Sequence, residues 1–252
     1  MIMNYQQAAL RLLWLTICLP LFVVFLPQAI YVKRTTLRLP EAQGQPFSQD
    51  NKENATHLLH VGESTVAGVG VTTLTTGLTS NIAKTLSARL NRPTSWSVFG
   101  ENGIRMKGLI QALPSAIDKL PKSNEFDLVI ITMGVNDSTK FTSIKQWRTS
   151  LAESVTILGP MTHGPIYFTQ VPPLSQFPAL PSPLRNLLGV RSKILDNELK
   201  AFCNEHKNVH YVGSEVQVDR EMMAEDGYHP SELGYQQWAD QIAGQIEQIQ
   251  FN

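Results

Sequence analysis

The chain is poor in cysteine, carries no net charge and contains no internal repeat. Among its 252 residues there are two cysteines, Cys18 and Cys203. Two cysteines cannot staple a disulfide-dense fold. Cys18 also lies inside an apolar run, so a bridge to Cys203 is not expected and the redox compartment stays open. Lys and Arg total 21, matching 21 Asp and Glu. Without a cationic field to displace counterions, general nucleic-acid binding is excluded. A hydrophobic fraction of 42% against 17% charged residues excludes an extended disordered chain. The length suits one large domain or two small ones and is ample for a buried core.

What the N-terminus has instead is a long uncharged run. Residues 12–32 read LLWLTICLPLFVVFLPQAIYV, with Arg11 before them and Lys33 and Arg34 after. As a helix, this run would span roughly 30 Å, the thickness of a bilayer's hydrocarbon layer. Pro20 and Pro27 count against a straight helix, although membrane helices tolerate proline. Four readings compete. A cleaved signal peptide lacks a clear small-x-small site, since Pro27 and Ala29 match poorly. A lipoprotein would use Cys18, but Ile17 stands where a small residue is wanted. A buried core helix is a further option. The reading adopted is an uncleaved membrane anchor over 1–32, with the side of the membrane undetermined. Positive charges flank both ends: the positive-inside rule leans to a cytoplasmic domain, the signal-like layout to the opposite face. Residues 33–54 are polar, with Pro and Gly and no sustained period, and read as a linker or a segment laid over the surface. The compact domain is then 55–252.

Within that domain strands alternate with helices. Short β-branched or apolar runs predict strands at 57–61, 95–99, 127–133, 165–171 and 209–212. Helical spacing predicts helices at 76–90, 106–120 (interrupted at Pro114), 144–158, 184–206 and 233–249. Such alternation implies a parallel five-stranded sheet covered on both faces, a three-layer α/β/α architecture with right-handed crossovers. In these sheets the loops at the carboxyl ends of strands build the binding site. The unusual tetrapeptides fall there: GEST at 62–65, GENG at 100–103 and GVND at 134–137. A Pro-rich loop follows the fourth strand at 171–183, and DGYHPS at 226–231 follows the fifth.

Each of these loops carries a group that could do chemistry. Ser64, expected directly before a helix, is exposed to a substrate and near amides that can hold negative charge. Asp226 and His229 stand at i and i+3, so a single turn puts them on one face. The carboxylate can then fix the imidazole tautomer and leave the other nitrogen free to take a hydroxyl proton. The Asn136 side-chain amide and the Gly103 backbone amide can both donate to a developing oxyanion. Taken one at a time, each of these residues has a commoner structural use: a Gly-x-Ser turn, a surface His beside a capping Asp, an Asn in a turn, a glycine serving positive φ. Together they are the parts that acyl transfer from an ester requires.

On these four blocks, in this order, the chain resembles the SGNH/GDSL hydrolases over residues 55–252. The resemblance implies a flavodoxin-like fold, a catalytic triad of Ser64, Asp226 and His229, and an oxyanion hole of Ser64, Gly103 and Asn136. It implies neither metal nor organic cofactor. The implied partner is a small-molecule or lipid-like ester, with carbohydrate O-acetyl groups as a further candidate. One departure is visible: the family's first block usually has Asp where Glu63 stands, which moves a carboxylate by one methylene. A binding module without catalysis on the same fold, or an acyltransferase using the same intermediate, would carry the same residues.

Other chemistries fit less well. An ordinary α/β-hydrolase elbow needs glycine where Val66 stands. Gly68 and Gly70 lack the third glycine of a dinucleotide loop, and no Gly-Lys-Ser/Thr follows for a phosphate loop. His206 and His210 have helical metal-ligand spacing, but Lys207 stands at the second position, where a zinc protease has Glu.

Overall fold

The computed structural model describes residues 5–48, 54–120, 126–214 and 218–251. Five strands, β1 (Thr56–Gly62), β2 (Thr94–Gly100), β3 (Leu128–Thr132), β4 (Ile166–Thr169) and β5 (Val209–Val212), form one parallel sheet in the order β2-β1-β3-β4-β5. This is the flavodoxin-like order, and it reverses direction between β1 and β3. The three layers and the parallel five-stranded sheet are as the alternating pattern predicts.

Both faces of the sheet are buried, which is why its strands read as near-continuous apolar runs. Successive residues of β1 go to opposite cores. Leu59 and Val61 pack with α4 (Met106–Ile117), α6 (Ile144–Leu158) and α7 (Leu184–Asn204). Leu58 packs with α3 (Leu78–Arg89) and α8 (Glu232–Phe251). The one polar residue of β1 buried in mid-strand, His60, is held between the Thr79 hydroxyl at 2.9 Å and the Thr132 hydroxyl at 2.8 Å. Burial lowers its pKa to about 3, so it is a neutral core histidine.

Two local expectations change. Helix α4 runs through Pro114 without interruption. Its ring faces solvent, so it meets no neighbouring element, and the helix loses one backbone hydrogen bond there. The segment after β1 is a series of turns over residues 64–70, and the next α-helix starts only at Leu78. Gly68 and Gly70, both at positive φ, coil this segment back on itself.

The membrane-anchor expectation finds no support in the structure. Among the described residues, no helix is long and apolar enough to cross a membrane. The run is divided into α1 (Tyr5–Leu13), a π-helical turn (Trp14–Cys18) and α2 (Leu19–Thr35), of nine, five and 17 residues. Pro20 lacks the amide that would bond back into the preceding turn, and a π-turn is a common way to absorb such a loss. One side of the helix is committed to protein. Leu10, Trp14, Phe25, Ala29 and Val32 join a third apolar cluster with Leu174, Leu180 and residues of α7. Trp14 stacks on Phe141 with ring centroids 5.5 Å apart, and the Arg191 guanidinium lies 5.4 Å from its ring. Arg11 pairs with the buried Glu198. The Gln28 side chain donates to the Ser182 carbonyl and accepts from the Leu184 amide.

Of the residues read as a linker, 41–48 lie against the domain. The Ala42 and Gln43 amides donate to the carbonyls of Ala67 and Thr72. Further on, Ser48 and Val98 tie the segment to β2 through the carbonyls of Trp96 and Pro46. Residues 49–53 fall outside the described residues.

Candidate active site

Loops from the carboxyl ends of β1, β2, β3 and β5 meet over the point where the strand order reverses. Ser64 is the second residue after β1. The turn that holds it closes through the Val66 and Ala67 amides on the Glu63 carbonyl, at 2.9 and 3.1 Å. Gly70 lets this turn approach the loop that carries His229. A Cβ at Gly70 would stand 2.3 Å from the Pro230 carbonyl oxygen, and its φ is +106°.

The three predicted triad residues are in hydrogen-bond contact. His229 Nδ1 lies 2.6 Å from Asp226 Oδ2, and His229 Nε2 lies 2.9 Å from Ser64 Oγ. Asp226 Oδ1 also accepts from the Tyr228 and His229 amides at 2.9 and 3.0 Å. Burial alone would raise the Asp226 carboxyl. The His229 side chain and the two amides outweigh it and bring its pKa below the ordinary value. An ionised carboxylate only accepts, so Nδ1 carries the imidazole proton and Nε2 is left to accept from the Ser64 hydroxyl.

Asn136 sits in α5 (Val135–Thr139), a short helix begun by the GVND block. Its placement depends on Glu63, a residue whose role the sequence did not reveal. Glu63 Oε1 accepts from the Val135 amide at 2.9 Å. Glu63 Oε2 accepts from the Asn136 amide at 2.9 Å and from Asn136 Nδ2 at 2.6 Å. The extra methylene thus carries the carboxylate from the serine loop to the start of α5. One hydrogen of the Asn136 amide is taken, and the other remains for a ligand. Burial raises the Glu63 carboxyl to about 7, against the lowering effect of the Asn136 and Val135 amides. Asp137, next along, caps α4 by accepting from the Met106 amide at 2.8 Å.

Gly103 has φ +81°, and a Cβ there would meet nothing within 4 Å, so glycine answers to the backbone conformation and the space beside it is open. Lys140 Nζ donates to the Gly103 carbonyl at 2.6 Å, and Glu41 accepts from the Asn102 amide at 2.6 Å. Neither brace has a sequence signal, because each joins residues that only the fold makes neighbours.

Two spaces meet at His229. A cavity of about 70 Å³ lies against Ser64 and His229, walled by Val135, Phe177, Met222 and Trp238. A groove of about 590 Å³ reaches His229, Asn136 and Gly103 from the other side. The Pro-rich loop serves both, through Phe177 and Leu180. Phe177 meets Tyr228 edge-on at 5.1 Å, and Tyr228 meets His229 at 5.4 Å.

The rival histidine pair does not form a site. His206 Nδ1 lies 2.8 Å from the Phe202 carbonyl, whereas His210 is on β5 beside Tyr167. Among the described residues, no group of three or more His, Cys, Asp or Glu side chains could hold a metal ion.

The signature of the GDSL-like lipase/acylhydrolase family matches residues 60–237. No curated protein matches the sequence. Similar solved structures include a member of the lipolytic protein G-D-S-L family from Veillonella parvula. It has a TM-score of 0.57 and 16% identity over 77% of this chain and 98% of that one. A family 3 carbohydrate esterase from Clostridium thermocellum has a TM-score of 0.59 and 17% identity over 78% and 98%. The psychrotrophic esterase EstA from a Pseudoalteromonas species has a TM-score of 0.59 and 15% identity over 78% and 100%. At such identities the likeness speaks for the fold.

Proposed function

The chain belongs to the GDSL-like lipase/acylhydrolase family, and we propose that it is a serine hydrolase that cleaves carboxylic esters through an acyl-enzyme on Ser64. The observation that carries this reading is the hydrogen-bonded line from Asp226 through His229 to Ser64. The names of the similar structures, lipolytic and esterase, agree on the ester bond and differ on what surrounds it.

In the proposed reaction, Ser64 Oγ attacks the ester carbonyl carbon while His229 Nε2 takes its proton. The imidazolium that forms is stabilised by Asp226, whose carboxylate is already held in the ionised form. Negative charge develops on the carbonyl oxygen as the tetrahedral adduct forms. The Ser64 and Gly103 backbone amides and the second hydrogen of Asn136 Nδ2 are the donors for it. Collapse breaks the carbon–oxygen bond to the alcohol, which leaves with the proton from His229. Water then attacks the acyl-enzyme by the same route in reverse: His229 takes its proton and returns it to Ser64 Oγ as the acid departs.

The test is turnover of p-nitrophenyl butyrate by the full chain and by Ser64→Ala, with labelling by a fluorophosphonate probe. Ser64→Ala should lose about 10³-fold or more in kcat and all labelling. Equal turnover by the variant would remove Ser64 from the mechanism. A binding module without catalysis would leave the intact chain unlabelled.

A further inference from the structure

The family signature begins at residue 60, yet residues well before it reach the reactive centre. Val32, Leu37 and Leu39 line the same groove as His229, Asn136 and Gly103. Leu180, Leu184 and Tyr228 line it as well, and the Tyr228 ring lies 5.4 Å from the His229 imidazole. We infer that residues 29–41 form one wall of the substrate site, and that the ester cleaved there carries a long apolar chain lying between this wall and α7. The inference rests on the serine-hydrolase reading and adds to it the class of substrate.

Three observations support it. The first is that the wall is fixed in place. Gln28 bonds to both Ser182 and Leu184 just before it, and Glu41 holds the Asn102 amide at its end. The bond from Glu41 falls on the residue next to Gly103, so the segment braces the oxyanion loop as well as bordering it. The second is size. The cavity behind Ser64 measures about 70 Å³, room for a few water molecules, and is much the smaller of the two spaces. The groove, at about 590 Å³, lies within the roughly 300–1,000 Å³ range of sites that bury a whole ligand. The bulky half of the ester therefore belongs in the groove. The third is character. Ala29, Val32, Leu37, Leu39, Leu180 and Leu184 present hydrocarbon. Lys33 and Arg38 are exposed, so their aliphatic stems extend the wall while their charges stay in water. Asp226 also borders the groove, but its oxygens are occupied by His229 and two amides.

A methylene moved from water onto such a surface raises binding up to about fourfold. The chain could sit on the acyl or the alcohol side of the ester, and two substrate series separate these. One is p-nitrophenyl acetate, butyrate, octanoate and laurate; the other is acetate esters of methanol, butanol and octanol. The full chain and two variants are compared. Leu37→Asp puts a charge into the wall at a position 51% exposed, where folding tolerates it. Val32→Phe narrows the groove, and its fold is checked by its melting temperature.

In one series the intact protein should show kcat/KM rising with chain length. Both variants should lower the ratio of longest to shortest substrate by about tenfold, and the series that responds identifies the side of the ester. The inference is overturned if neither series rises with length, or if the ratio is the same in the variants. Absence of all turnover together with absence of fluorophosphonate labelling would instead overturn the hydrolase reading and take this inference with it.

Discussion

Replacing Glu63 by Gln turns one acceptor oxygen into an amide NH2, a donor that faces either the Val135 amide or the two donors of Asn136. The repulsion would turn the Asn136 side chain and withdraw an oxyanion donor. Losing one such donor costs about 10²–10³-fold in kcat, and Glu63→Gln should show a loss of that size with little change in KM. Glu63→Asp keeps the charge and shortens the reach, so its loss should be smaller, about tenfold. Steady-state kinetics on p-nitrophenyl butyrate would rank the two, and equal activity of Gln and Glu would separate Glu63 from the oxyanion site. Gly70 acts by absence. Its substitution by Ala would set a Cβ against the Pro230 carbonyl and push apart the loops bearing Ser64 and His229. A displacement of about 1 Å can cost about 10²-fold in rate, and Gly70→Ala should lose about that much kcat.

Among the elements, the strands were the most legible. β3 is a run of β-branched and apolar residues, and no amphipathic helix presents that pattern. The turn that aligns Asp226 with His229 was readable for a similar reason, because their contact is local. The contacts of Glu63, Lys140 and Glu41 were not, since each spans a sequence distance that only the completed sheet closes. What the N-terminal helix packs against is not legible in the sequence, for a physical reason. A helix apolar on all sides looks the same whether its neighbour is lipid or protein, and only the fold reveals Phe141 and Arg191 opposite Trp14. Trp14→Ala removes that stack, at a cost of about 3 kcal/mol typical for a buried aromatic. The loss should fall on the docking of α1 and α2. Their amides should exchange with solvent about 10²-fold faster in hydrogen-exchange measurements, while those of β1 and β3 keep their protection.

At the scale of the whole molecule, two buried titrating groups shape stability in opposite directions. His60 ordinarily titrates near 6.5 and in the fold at about 3. Between these values only the unfolded chain binds the proton, so its contribution is full above pH 6.5 and is lost as pH falls towards 3. Glu63 ordinarily titrates near 4.5 and in the fold at about 7. Here the folded state binds the proton first, so this contribution is full below pH 4.5 and is lost as pH rises through 7. The two offset each other at mildly acidic pH, and below pH 4.5 His60 acts alone. Urea midpoints measured from pH 8 to pH 4 should fall steeply only at the acid end. His60→Gln should flatten that limb, and Glu63→Gln should remove the decline above pH 6. An unchanged acid limb in His60→Gln would assign it to other groups.

The order of synthesis matters to a chain built this way. Arg11 and its partner Glu198 are 187 residues apart, and a ribosome adding about 5–20 residues per second needs roughly 10–40 s to cover that interval. For all of that time the oily segment around Trp14 has no groove to enter, because α7 lies later in the chain and has yet to be made. Until then its apolar side stays open to whatever binds nascent chains, and its contact with α7 closes only after most of the sheet has been made.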